Sequence, residues 1–305
     1  MGGKWWTYQR ERFPVVGHGV LIGAFSFSAV AFSGMLRGEH GMPAWPAIVV
    51  AFVSCFLFFL QLRIADEFKD FEEDARYRPY RPVPRGLVSL RELGVVFVMA
   101  GVVQLALAWW LDARLIVLLG VTWVYLALMS KEFFVRRWLN GRPVVYLLSH
   151  MAIMPLIDLY ATSTDWLIEV GRPPSGLVWF LLASFFNGIV IEIGRKIRSP
   201  SDEEEGVKTY SVVWGPRAAV TAWGAAIVCT WGCAVVAAWH IGFVWPTVAV
   251  FGVTGGVAVV LVSGFLRAQA QGMGKRVEHL SGVWTLALYL VLGVAPLVTR
   301  GFGNG

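Results

Sequence analysis

A chain of 305 residues that is 57% hydrophobic and only 15% charged, with a mean hydropathy of +0.62, lies far outside the composition of a soluble domain. Composition therefore excludes a water-soluble fold and predicts an all-α polytopic membrane protein, one domain over residues 1–305. The formal charge of +6 is explained by membrane topology, so no nucleic-acid partner is expected.

Residues 1–14 are polar, and the first apolar run is long and lacks a small-residue cleavage site, so no cleavable signal peptide is expected. Apolar runs long enough to cross about 30 Å of hydrocarbon fall at 15–35, 44–65, 93–111, 114–130, 144–163, 175–194, 217–239, 243–266 and 279–299. They predict nine transmembrane helices. Within 93–130 only Asp112, Ala113 and Arg114 interrupt the apolar pattern; two helices with a tight turn are favoured over one kinked segment. Of the 26 Lys and Arg residues, all but Arg37, Arg114, Arg172 and Arg300 fall on one side. The N-terminus and the polar loops are thus expected in the cytoplasm, and the C-terminus outside. Cys55, Cys229 and Cys233 lie inside apolar runs and read as packing residues.

Taken in order, Pro14 suits the first turn of helix 1, while Arg10 and Arg12 can serve simply as headgroup anchors. Gly17, Gly19, Gly23 and nearby small residues would permit close helix contact in lipid. Helix 2 runs without Gly or Pro into the polar stretch Arg63–Gly86, where Asp66, Asp70 and Asp74 recur every fourth residue. On a helix that spacing sets carboxylates about 6 Å apart along one side. Crowded acids raise one another's pKa unless a cation lies between them, which a magnesium ion would do. A solvated helix end with i,i+4 pairs is the alternative. Pro79, Pro82 and Pro84 then stop the helix, and because residues before proline are extended, Tyr80–Gly86 is expected to be a stiff, ordered basic segment that turns back before helix 3.

The next cytoplasmic loop, from Lys131 to Pro143, is basic and aromatic. Inside helix 5, Asp158 follows Pro155 and stands near Tyr160, and an intramembrane acid is a functional candidate by default. A position near the outer interface, close to Asp165 and Glu169, is its alternative. Helix 6 ends in a second polar stretch, Glu192–Gly215, in which Glu192 and Lys196 are spaced for a pair. Ser201 and Glu204 have capping-box spacing, which predicts a helix whose first turn holds Asp202, Glu203 and Glu204. Carboxylates and a surplus of Arg and Lys on one face suit a diphosphate whose tail lies in lipid.

These residues resemble the UbiA superfamily of intramembrane prenyltransferases. That family's first motif, N-x-x-x-D-x-x-x-D followed by R-P-x-x-x-G, is matched by Asp66, Asp70 and Asp74 and by Arg81-Pro-Val-Pro-Arg-Gly86, with Asp in place of Asn. The second half of its second motif is similar to Asp202-x-x-x-Gly206-Val-Lys208. The first half departs, with Arg198 where the family has Asp and Glu192 the helix-borne acid nearby. The resemblance implies a nine-helix bundle with two polar cytoplasmic loops that ionises an isoprenyl diphosphate with Mg2+ and passes the prenyl group to an aromatic or lipid acceptor. It implies metal contacts at Asp66, Asp70, Asp74, Asp202 and Glu192, and diphosphate contacts at Arg10, Arg81, Lys131, Arg195, Lys196, Arg198 and Lys208. Asp66, Asp70 and Asp158 are the expected catalytic residues, with Asp158 or Tyr160 as base or cation stabiliser. Competing readings are a terpene cyclase of the same family, a transfer of phosphosugar to a polyprenyl phosphate, and a non-catalytic transporter.

Overall fold

The computed structural model describes residues 3–204 and 206–303, and among them all regular structure is helical. A short surface helix α1 (Lys4–Arg12) leads through Pro14 into α2 (Val15–Leu36), and α3 (Trp45–Lys69) follows with Pro46 in its first turn. Without an internal Gly or Pro after that turn, α3 carries its helix past the apolar segment into the charged stretch. A kink at Asp70 (φ −97°, ψ 6°) separates it from α4 (Phe71–Tyr77).

Helix α5 (Leu90–Leu111) opens with a capping box between Ser89 and Glu92. The run 93–130 divides as expected: Asp112 accepts the Arg114 backbone N–H at 2.8 Å in a tight turn, and α6 (Leu115–Ser130) returns. After it come α7 (Arg136–Asn140), α8 (Pro143–Met151) and α9 (Ile153–Glu169). The break at Ala152 has a covalent cause: Pro155 has no N–H to offer the carbonyl of Met151, four residues earlier. Helix α10 (Leu177–Gly194) is followed by α11 (Tyr210–Trp214), α12 (Pro216–His240), α13 (Val244–Ala268) and α14 (Met273–Tyr289). A π-helical turn, Leu290–Val294, joins α14 to α15 (Ala295–Gly303).

Among the described residues, eight helical segments are long and apolar enough to cross a membrane, and α6, of 16 residues, is a shorter apolar helix. The chain is an integral, multi-pass membrane protein. Val16, Val98, Val124, Val253 and Val260 are exposed on the outside of the bundle, whereas Phe32, Phe58, Phe180, Trp223, Phe251 and Trp284 fill its interior. Close helix contact is made elsewhere than at Gly17 and Gly19, which face open space. It occurs where Gly293 lies against the backbone of Ser28, and where Gly194 leaves no room for a Cβ beside Ser281.

Ser201 and Glu204 do not start an α-helix. Pro200–Asp202 form one 3-10 turn, and the cap belongs to Thr209, whose hydroxyl accepts the N–H of Val212 at the start of α11. Glu203 is drawn away from any helix, its carboxylate accepting the Thr209 hydroxyl at 2.7 Å.

Candidate active site at the polar end of the bundle

The polar stretch after α3 and the one after α10 lie side by side. Gly206, at φ +75°, lies so close against the ring of Tyr77 that a Cβ could not be placed between them. Glycine is required there by conformation and by space.

Around this junction the charged groups form connected clusters. Arg12 of α1 donates through Nε to buried Glu67 at 2.5 Å, pinning the surface helix to α3. Arg63 and Lys69 each stand 3.7 Å from the Asp66 carboxylate, and Lys69 donates to the Tyr146 hydroxyl at 3.0 Å. Glu192 at the end of α10 is held by Arg195 at 2.5 Å and Lys196 at 2.8 Å. The Arg195 guanidinium is held well above its ordinary pKa, first by Glu192 and further by Asp66, so it faces carboxylates of both stretches. Lys196 lies over the ring of Tyr210, 5.8 Å from its centroid. Burial, followed by the charge of Glu192, pushes the Tyr210 phenol upward.

Asp74 and Asp70 differ sharply. Asp74 is buried and accepts from Arg78 at 3.0 Å and Arg81 at 2.6 Å, which ties the proline segment back onto α4. Asp70 has no ion-pair partner within 4 Å among the described residues. Its pKa is raised, above all by burial and then, against the opposing Lys69, by Asp66, Asp74 and Glu73. Among the described residues no three His, Cys, Asp or Glu side chains form a metal cage by themselves. Asp70 with Asp66 nevertheless suits Mg2+, which takes one or two carboxylates and completes its sphere with substrate oxygens. Extra negative charge on a partly buried acid is the deficit a cation would relieve.

The other expected site residues are dispersed. Arg195 and Lys196 are at the cluster, paired with Glu192. Arg198 donates to the Ile197 carbonyl at 2.9 Å and stands 3.7 Å from Glu278, while Asp202 accepts the Gly272 N–H at 2.7 Å. Arg10, Lys131 and Lys208 are exposed on the surface. Asp158 sits deep in the bundle instead of at the outer interface, accepting the Tyr289 hydroxyl at 3.2 Å near Ser184. Asp165 lies toward the end of the bundle opposite the polar cluster, bound by Arg37 at 2.8 Å and Ser33 at 2.6 Å. Tyr160 is buried, its hydroxyl 3.4 Å from that of Ser54. That opposite end also has a cleft of about 290 Å3, bordered by Arg37, Glu39, Met42 and Glu169, far from the clustered cations.

Sequence reasoning passed over Lys69, Tyr146 and His150. Tyr146 and His150 are stacked, with ring centroids 3.8 Å apart and planes inclined by 17°. Their i,i+4 spacing at the start of an apolar run, just after Pro143, was the available signal.

Comparison with known proteins places these features in a family. The model of the UbiA prenyltransferase family matches residues 26–291. No curated protein matches the chain by sequence. Among solved structures, a UbiA homologue from Aeropyrum pernix K1 superposes with a TM-score of 0.67 at 14% identity, covering 92% of this chain and 98% of that one. A digeranylgeranylglyceryl phosphate synthase gives 0.65 at 13% identity, covering 97% and 99%. A UbiA homologue from Archaeoglobus fulgidus, solved with DMAPP and Mg2+, gives 0.54 at 13% identity, covering 93% and 98%.

Proposed function

Because the chain belongs to the UbiA prenyltransferase family, as the match over residues 26–291 establishes, we propose that it ionises an isoprenyl diphosphate at the polar end of its bundle. The prenyl group then passes to an aromatic or lipid acceptor. The observation that carries this reading is the partly buried Asp70, without an ion-pair partner within 4 Å among the described residues, beside Asp66, whose carboxylate stands 3.7 Å from Arg63 and Lys69 and also acts on Arg195.

Asp66 and Asp70 would hold magnesium. Bound there, the ion would neutralise diphosphate oxygens and join them to the carboxylates. Arg195 and Lys196 would exchange part of their contact with Glu192 for the diphosphate, stabilising the charge that gathers as the carbon–oxygen bond breaks. Arg198, Lys208, Lys131 and Arg10 lie farther out, where they would draw an anionic headgroup toward the junction. Arg81, with Asp74, keeps the proline segment in place. Glu192 and Asp202 serve in this reading to orient cations and the loop, and Asp158 stabilises positive charge in the interior. The family resemblance and the bound ligands named for the Archaeoglobus fulgidus homologue support the substrate class. The N-terminus would face the cytoplasm and, with α6 crossing as a ninth span, the C-terminus would face outside.

The test is direct. Purified protein in lipid nanodiscs is given dimethylallyl, geranyl, farnesyl and geranylgeranyl diphosphates with Mg2+, pyrophosphate release is measured, and prenylated lipids are identified by mass spectrometry. Release dependent on Mg2+ with at least one donor is expected. Failure with all four donors, in the presence of a membrane lipid extract, would overturn the reading.

A further inference from the structure

His150 lies on α8, one helical turn after Tyr146, whose hydroxyl accepts from Lys69 of the charged cluster. It is buried, stacked face to face on Tyr146, and it meets the edge of Phe133 at 6.2 Å. Its Nδ1 stands 2.8 Å from the carbonyl oxygen of Tyr146 and 3.4 Å from the Ser149 hydroxyl. A carbonyl can only accept, and the Ser149 hydroxyl donates to that same carbonyl at 3.0 Å. The hydrogen of the neutral ring is therefore on Nδ1, and Nε2 is left with a bare lone pair. That nitrogen is buried and has no hydrogen-bond partner. An unsatisfied acceptor inside a membrane bundle is costly unless something uses it.

Position adds to the chemistry. Tyr146, against which the imidazole is stacked, takes a hydrogen bond from Lys69, and Lys69 in turn stands beside Asp66. A diphosphate gripped at the rim would put its first carbons one layer deeper, at the level of these rings. We propose that His150 Nε2 is the proton acceptor of the reaction, an inference that rests on the prenyl-transfer reading above. The bond from carbon to the diphosphate oxygen breaks, with its electron pair leaving on pyrophosphate. The allylic cation forms a bond to the acceptor's nucleophilic atom. That atom's bond to hydrogen then breaks, its electron pair stays in the product, and the proton passes to Nε2. Without an acceptor the proton instead leaves a carbon next to the cation, which yields a conjugated hydrocarbon, whereas attack by water yields the prenyl alcohol. Tyr146 is a positioning residue here, holding the ring through its face and its carbonyl.

The experiment uses the full chain in nanodiscs with Mg2+ and whichever of the four isoprenyl diphosphates wild type turns over, but no acceptor, comparing wild type with His150→Phe and His150→Gln. Phe keeps an aromatic plane against Tyr146, and Gln keeps a donor for its carbonyl; neither has a basic nitrogen. General bases contribute about 100-fold or more, so the ratio of hydrocarbon to alcohol, measured per pyrophosphate released, is expected to fall by about 100-fold in both variants. A purely structural histidine would leave the ratio unchanged in whichever variant folds, and that outcome overturns the proposal. In parallel, 15N spectra of histidine-labelled protein, with His150 identified by its loss in His150→Gln, should show an unprotonated Nε2 in the resting state without any ligand. A proton on Nε2 of the neutral ring would overturn it independently. A wild-type protein that releases no pyrophosphate from any of the four donors would overturn the prenyl-transfer reading, and the proton-acceptor role with it, while the nitrogen spectrum would still stand as a measurement of the ring.

Discussion

Asp70 and Asp74 are four residues apart and chemically identical, yet their neighbours make opposite demands. Burial and nearby acids raise the Asp70 pKa, so the folded chain binds a proton there more tightly than the unfolded chain. Its contribution to the stability of the unliganded protein is therefore best at acid pH and worsens as pH rises from the ordinary carboxylate value through the raised one. Asp70→Asn should remove that dependence, leaving the apo protein at neutral pH as stable as wild type or more so in thermal melts. Activity should fall about 100-fold or more, the scale of a lost electrostatic contact to a transition state. Glu73→Gln is the control, and its activity should remain close to wild type. Asp74→Ala would do the reverse, because it strands Arg78 and Arg81. A loss of about 3 kcal/mol in stability is expected by denaturation, as for other buried pairs broken on one side. The four-residue spacing was legible in the sequence. Which acid has partners was not, since Arg81 reaches Asp74 only after the proline segment folds back.

Elements were legible wherever hydropathy decided them and obscure wherever charges competed. Ser89-x-x-Glu92 and Ser201-x-x-Glu204 carry the same local pattern, yet only the first caps a helix. Ser89 precedes a long apolar run that packs against α3 and so sustains a helix. Ser201 precedes acids and Gly206, and Thr209 captures Glu203, so no apolar face was available to stabilise a helix there. Likewise nothing local marks the kink at Asp70: Asp70 and Asp74 still donate to the carbonyls of Asp66 and Asp70, at 2.9 and 2.8 Å, and no Gly or Pro intervenes. The contact between Tyr77 and Gly206 joins two elements that the sequence separates by more than a hundred residues. Gly206→Ala should destabilise the junction twice over, by its left-handed backbone and by collision with the ring. In a Tyr77→Ala background only the backbone cost, about 1 kcal/mol, should remain. Equal penalties in both backgrounds would show that the ring does not matter.

For the whole molecule, the positions of the apolar helices followed from hydropathy, with α9 and α14 extending past the expected runs because their polar ends are still helical. The sidedness of the loops is a separate expectation, carried by the partition of Lys and Arg. Cysteines introduced at Glu73 and Glu204 should both react with a membrane-impermeant thiol reagent from the cytoplasmic side; labelling of either from outside would invert the topology. A different consequence follows from α6. Sixteen residues of helix extend about 24 Å, shorter than every other apolar segment and short of roughly 30 Å of hydrocarbon. Its inner end continues directly into Lys131 and the aromatic stretch with Phe134 and Trp138 exposed. With α6 crossing as the proposed ninth span, hydrophobic mismatch should thin the bilayer around it or draw this basic corner toward the acyl chains. Turnover in nanodiscs of stepped acyl-chain length should peak in thin bilayers, giving a dependence on lipid composition that originates in one undersized helix.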